Sequence, residues 1–133
     1  RKWPEKNIIQ KKADAGYYNI STPALTFTDL VHHQTKIGTL NRLLSVLEEL
    51  SEEFSESDWQ SLTSWYNNKS TLQRVGFLLD EIFNSKRYAD IIYTNLQQTN
   101  YYPVLLSPTA NEKPGSARNR WKVDINLKLE SDL

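Results

Sequence analysis

The chain has 133 residues, 38% of them apolar, with 16 Lys and Arg balanced by 16 Asp and Glu and no cysteine. That length suits one domain, residues 1–133, able to bury a core without staples. The absence of cysteine excludes disulfides, thiol catalysis and thiolate-bound zinc, and the two histidines, His32 and His33, are sequence neighbours that diverge on a helix and argue against a His-rich metal site.

No apolar run approaches the roughly 18 residues of a membrane span and no signal-peptide pattern is present, so the expectation is a cytoplasmic domain without membrane contact. The chain opens at Arg1, and its first residues read as the interior of a longer protein with a domain upstream. Charge is unevenly placed. Arg1, Lys2, Lys6, Lys11 and Lys12 make the start basic; Glu48, Glu49, Glu52, Glu53, Glu56 and Asp58 form an acidic stretch; Lys113, Arg118, Arg120 and Lys122 form a second basic cluster. A domain that gripped a nucleic-acid backbone unaided would be more basic overall. The pattern suits a protein partner, DNA contacts shared with another domain, or plain solvated surface.

In chain order, Asn7 to Asp14 and Tyr17 to Ser21 read as two strands able to pair as a hairpin, with Gly16 as the turn signal. Thr22 is a natural N-cap and Pro23 suits the first helical position, where its missing N–H does no harm. The helix that follows places Leu25, Leu30 and Val31 for burial, with Phe27 and Thr28 on other faces. Gly38 ends this segment. Thr39 caps a second helix running to about Glu53, with Leu40, Leu43, Leu44, Leu47 and Leu50 as its apolar stripe and glutamates in its last turns, where they oppose the helix dipole. Ser57 and Gln60 read as a capping box for a third helix carrying Trp59, Leu62, Trp65 and Tyr66, stopped by Asn67 and Asn68.

The longest apolar helical pattern is Ser70 to Asn84. Leu72, Val75, Leu79 and Ile82 share one face, widened by Gly76, Leu78 and Phe83, and Ser70 with Gln73 reads as a capping box. Gly76 costs about 1 kcal/mol against alanine in a helix interior, and a glycine so placed often lets another backbone approach closely. Ser85 to Thr99 reads as a fifth helix, packed beside the fourth because the link is short. Tyr101 to Leu106 is extended, with Pro103 at an edge, and Ser107 to Asn119 is an exposed loop. From Trp121 to Glu130 apolar and polar residues alternate strictly, as in a strand with one wet face. The fold expected is α+β: N- and C-terminal strands forming a small antiparallel sheet packed against a bundle of about five helices.

Catalytic signals are weak. The four glycines are scattered singly, so no phosphate loop is present, and no serine sits in a nucleophile elbow. Asp124, Asn126, Lys128 and Glu130 line the wet face of the last strand. An acid and a lysine there faintly suggest a metal-dependent nuclease, which needs a further carboxylate on a neighbouring strand; Tyr101 to Leu106 supplies none. Asp29, among apolar residues, reads first as a local hydrogen-bonding partner of Thr26 or of a capped backbone end. Arg74 reads first as an ion-pair partner of Asp29 or Asp80. His32 and His33 suit a helix C-terminus.

Several motifs together resemble one family. They are Ile20-Ser21-Thr22-Pro23 with Leu25-Thr26 and Asp29-Leu30, Ile37-Gly38 with Leu40-Asn41-Arg42, Val46-Leu47-Glu48-Glu49-Leu50, Leu72 to Leu79, and Asn119 to Val123 with Asn126. Over about Tyr17 to Leu133 the chain resembles the C-terminal domain of AbiEi-type antitoxins, the antitoxin and regulator halves of bacterial abortive-infection toxin–antitoxin systems. The resemblance implies a winged helix-turn-helix domain upstream, repression at promoter repeats, and neutralisation, direct or indirect, of a nucleotidyltransferase-like toxin, with no cofactor and no catalysis. On this reading Lys11, Lys12, Arg118, Arg120 and Lys122 are the expected DNA-contacting set. Asp29, Arg42, Arg74, Gly76 and Trp121 are the motif residues expected to serve a partner or the structure. The alternatives are the nuclease-like enzyme and a pure protein-interaction module docking through Glu48 to Glu53.

Overall fold

The computed structural model describes residues 7–13, 16–37, 39–110, 114–115 and 117–129, with side chains left out for 10–13 and 16–20. The protein is mostly helical. Strands β1 (Ile8–Ala13) and β2 (Gly16–Ser21) precede helices α1 (Pro23–His32), α2 (Gln34–Ile37), α3 (Leu40–Ser51), α4 (Glu56–Thr63) and α5 (Lys69–Phe77). A π-helical turn, Leu78–Ile82, extends α5; α6 (Lys86–Leu96) and the two-residue strands β3 (Val104–Leu105) and β4 (Val123–Asp124) follow.

The hairpin forms as its sequence predicts, in register from Ile8↔Ser21 to Ala13↔Gly16. The shared terminal sheet does not. The N-terminal strands pair antiparallel with each other, while β3 pairs with β4 in parallel, Val104 opposite Val123. Polar side chains account for this. The C-terminal segments have carbonyls engaged by α5, whereas the hairpin base is held separately by Asp58 of α4.

That second attachment explains how α1 begins. Thr22 occupies the N-cap position, yet its hydroxyl does not cap its own helix; it donates to Asp58 Oδ1 at 2.6 Å, and the Ala24 N–H donates to Asp58 Oδ2 at 3.0 Å. A carboxylate from another helix thus meets the positive end of α1. Asn7, in the left-handed region at φ 62°, donates to Asp58 Oδ1 and accepts from Trp65 Nε1 at 2.8 Å.

The core gathers where α1, α4, α5 and α6 meet. Phe27 lies at its centre, fully buried, its ring edge-on to Phe54, Trp59 and Phe83 at 5.4, 6.2 and 5.9 Å. Phe27 and Thr28 are therefore core residues, against the expectation from helix phase alone. Leu40, Leu43, Leu44 and Leu47 of α3 are buried as predicted. Both predicted capping boxes resolve otherwise. Ser55, not Ser57, caps α4 by accepting from Asp58 N, and Asn68, not Ser70, caps α5 by accepting from Thr71 N. Gly38 lies outside the described residues.

The last predicted strand is cut to two residues. The Asn119 side chain accepts from the N–H groups of Trp121 and Val123 and donates to the Val123 carbonyl, forming a turn that puts Lys122 at φ 54°. Past Asp124 the chain bends again, with Asn126 N bonded to Asp124 O at 2.9 Å. The predicted wet face is accordingly broken: Asp124 and Asn126 are buried and Ile125 is exposed, while Lys128 is exposed as expected and Glu130 lies outside the described residues. Among the described residues no helix is long and apolar enough to cross a membrane.

Candidate functional site

One face of α5 and its π turn carries Gln73, Gly76 and Asp80, spaced three and then four residues apart. This face receives the C-terminal segment. Gln73, 1% exposed, donates through Nε2 to the carbonyls of Tyr102 and Trp121, each at 2.8 Å, so one amide clips both incoming chain segments to the helix. Arg74 Nε donates to the Leu105 carbonyl at 2.7 Å. Its partner is thus a strand carbonyl rather than the carboxylate expected from sequence, and partial burial lowers its pKa from the ordinary arginine value.

Gly76 meets the fully buried ring of Trp121 face to face. A Cβ built at Gly76 would overlap the six-membered ring, so only glycine allows this approach. One turn on, Asp80 receives the edge of the same indole: Trp121 Nε1 donates to Oδ2 at 3.0 Å. Arg120 Nε reaches Oδ2 at 2.9 Å, and Lys86 Nζ reaches Oδ1 at 2.6 Å. Arg120 also pairs with Asp90 at 2.8 Å, and its guanidinium lies 4.5 Å from the centroid of the Tyr93 ring.

Burial alone would push the Asp80 carboxyl up. The hydrogen bonds from Lys86 and Trp121 and the charge of Arg120 outweigh it, and the carboxyl is held below the usual aspartate range. Lys86 is pushed up by its bond to Asp80. Burial works against the Arg120 charge, but Asp90 and Asp80 more than compensate. This carboxylate lies within the π turn. Phe83 N bonds to Leu78 O, five residues back, and the widened turn changes the helix phase. Asp80 faces inward, as its spacing from Gly76 already requires, while Ile82, expected on the buried face, lies at the end of the widened turn and is 41% exposed.

The sequence-predicted residues separate into distinct places. Gly76, Arg74 and Trp121 meet at this junction. Arg42 is exposed on α3 and Asp29 half-buried on α1. Arg118 and Lys122 are exposed, whereas Arg120 lies at the ion-paired node beside them. The side chains of Lys11 and Lys12 lie outside the described residues. Glu48, Glu49, Glu52 and Glu53 are all exposed at the end of α3. Asp124 accepts from Gly115 N, and Asn126 bonds both the N–H and the carbonyl of Ser107, so these two side chains of the nuclease reading hold backbone. No group of three or more His, Asp or Glu placed to hold a metal occurs among the described residues.

Two residues central to the site escaped the sequence reading. Asp80 was visible there only as a possible partner of Arg74, and Gln73 as a local cap. The available signal was their helical spacing with Gly76: polar, small, polar on one face of an otherwise apolar helix.

A family model described as the AbiEi antitoxin C-terminal domain matches residues 6–81, more than half of the chain, and the chain belongs to that family. The match contains the receiving face, Gln73 to Asp80, and ends before the segment that face holds. Comparison with curated proteins and with solved structures gave no match.

Proposed function

We propose that this domain is a non-enzymatic antitoxin and repressor domain of a bacterial abortive-infection system, acting in the cytoplasm. It counteracts a nucleotidyltransferase-like toxin and assists the binding of promoter DNA alongside a winged helix-turn-helix domain. Membership of the AbiEi antitoxin family is the observation that carries this reading.

The geometry refines the DNA-contacting set. Arg118 and Lys122 present exposed charge, while the guanidinium of Arg120 is neutralised by Asp80 and Asp90. On this reading Arg118 and Lys122, with Lys11 and Lys12 from β1, are the phosphate contacts, and Arg120, between them, anchors the segment to Asp80 and Asp90. Arg42 and Asp29 remain motif positions for a partner.

Growth rescue tests the antitoxin reading. Co-expression with the nucleotidyltransferase-like gene adjacent to the parent gene is expected to restore growth; continued growth arrest with soluble domain present would overturn it. For DNA, Arg118→Ala is the clean variant, because it leaves the Asp80 node intact. It is expected to weaken duplex binding alike across sequences and to reduce the salt dependence by about one phosphate contact.

A further inference from the structure

The loop from Thr99 to Pro103 carries Tyr102, a residue outside the set assigned to duplex binding, beside Lys122, which belongs to that set. Tyr102 is 73% exposed, whereas Tyr66, Tyr88, Tyr93 and Tyr101 are all half-buried. Its loop is nonetheless firmly held. Three consecutive carbonyls each accept from a long side chain: Asn100 from Lys69 Nζ at 2.9 Å, Tyr101 from Lys122 Nζ at 3.1 Å, and Tyr102 from Gln73 at 2.8 Å. The Tyr101 hydroxyl donates to the Arg120 carbonyl at 2.9 Å, which turns that ring inward. The exposed ring of Tyr102 is thus carried on a backbone fixed on every side.

Two clefts of about 420 and 320 Å³ adjoin at this loop and share Asn100, Tyr101 and Tyr102. Lys69 lines one and Lys122 the other, and among the described residues no carboxylate lines either. In a chain of zero net charge this is a locally cationic strip. Each ammonium spends one donor on a carbonyl and has donors to spare for an anion. Lys122 sits in the left-handed region at φ 54°, a conformation a non-glycine residue keeps only when its surroundings fix it. Its ammonium lies 4.6 Å from the Tyr101 ring centroid.

We propose that this face binds an unpaired stretch of single-stranded nucleic acid. The Tyr102 ring stacks on one base, and Lys69 and Lys122 hold the phosphates on either side. A single protruding ring between two lysines matches the chemistry of a lone nucleotide, with a π-face for any base and cations for its backbone. A base inside a duplex is stacked on both faces and offers the ring nothing. The proposal goes beyond promoter binding; the two share Lys122, but Tyr102 belongs only to this site and Arg118 only to the duplex set, so Tyr102→Ala and Arg118→Ala let each fail alone.

Fluorescence anisotropy with labelled dT10, rU10, an abasic ten-mer and a ten-base-pair duplex tests it. The protein is expected to bind dT10 or rU10 more tightly than the duplex and the abasic strand, and the tighter of the two names the source. Tyr102→Ala is expected to weaken that binding about tenfold with the melting temperature unchanged, and Tyr102→Phe to retain it. Equal affinity for the abasic strand, preference for the duplex, no binding, or an unaltered Tyr102→Ala would each overturn the proposal.

Discussion

Two carboxylates tie the two ends of this chain to the same helical body by different chemistry. Asp58 holds the N-terminal hairpin base with neutral donors: the Asn7 amide, the Thr22 hydroxyl and the Ala24 N–H. Asp80 holds the C-terminal segment through the Arg120 cation and the Trp121 indole, with a second cation, Lys86 of α6, on its other oxygen. Each node includes a tryptophan N–H, from Trp65 through Asn7 in one case and from Trp121 directly in the other. Asp58 is a helix cap supplied from another helix. Asp80 is a buried charge whose desolvation must be offset by partners, so it tolerates substitution less and responds to pH.

The largest expected effect is at the C-terminal node. Trp121→Ala removes a fully buried indole from the Gly76 surface and a donor from Asp80, and should cost about 3–5 kcal/mol in denaturant unfolding. Asp80→Ala should cost about 3 kcal/mol, the low end for a broken buried pair, because Lys86 and Arg120 both reach solvent and regain hydration. Asp80→Asn sharpens the comparison through pH. The folded carboxyl titrates below its unfolded value near 3.9, so its contribution is fully present above about pH 4 and is lost as pH falls through the folded value. The stability gap between the native protein and Asp80→Asn should therefore be constant from pH 7 to 5 and close below pH 4, as read by thermal melts across that range.

Gly76→Ala comes next, at about 1–3 kcal/mol destabilising from overpacking, although helix propensity alone predicts a gain of about 1 kcal/mol. The sign separates the two. At the N-terminal node Asp58→Ala should cost about 1–2 kcal/mol, the range of a lost helix cap. Hydrogen exchange should then show faster opening in the first turn of α1 and in β2, with α5 and α6 unchanged. Tyr102→Ala, which touches neither node, should change stability by less than about 0.5 kcal/mol.

Much of the helical body was legible in the sequence, because an apolar stripe such as Leu40, Leu43, Leu44 and Leu47 records directly which face is buried. The hairpin was legible through its β-rich runs, although Gly16, expected as the turn, is the first residue of β2, and Gly76 signalled a close approach that is made by the Trp121 ring rather than by a backbone. What escaped was the long-range polar pairing. Gln73 next to Ser70 looks like a local cap, and nothing along the chain reveals that its amide spans two carbonyls at Tyr102 and Trp121. Phe27 looked peripheral because its burial depends on Phe54 and Phe83, which arrive from later segments. The alternation after Trp121 was real, but Asn119 and Asn126 turn the backbone and cut the strand to two residues. The parallel pairing of β3 and β4 followed from α5 side chains engaging both segments, which no periodicity encodes.

The claim that α5 is the seat for Trp121 is tested most directly by placing Gly76→Ala in two backgrounds, the native protein and Trp121→Leu, and measuring unfolding by urea. The account predicts that the added methyl destabilises the native protein and is neutral or stabilising beside leucine, where the ring it would overlap is gone. An equal cost in both backgrounds would contradict the contact on which the C-terminal half of the fold is built.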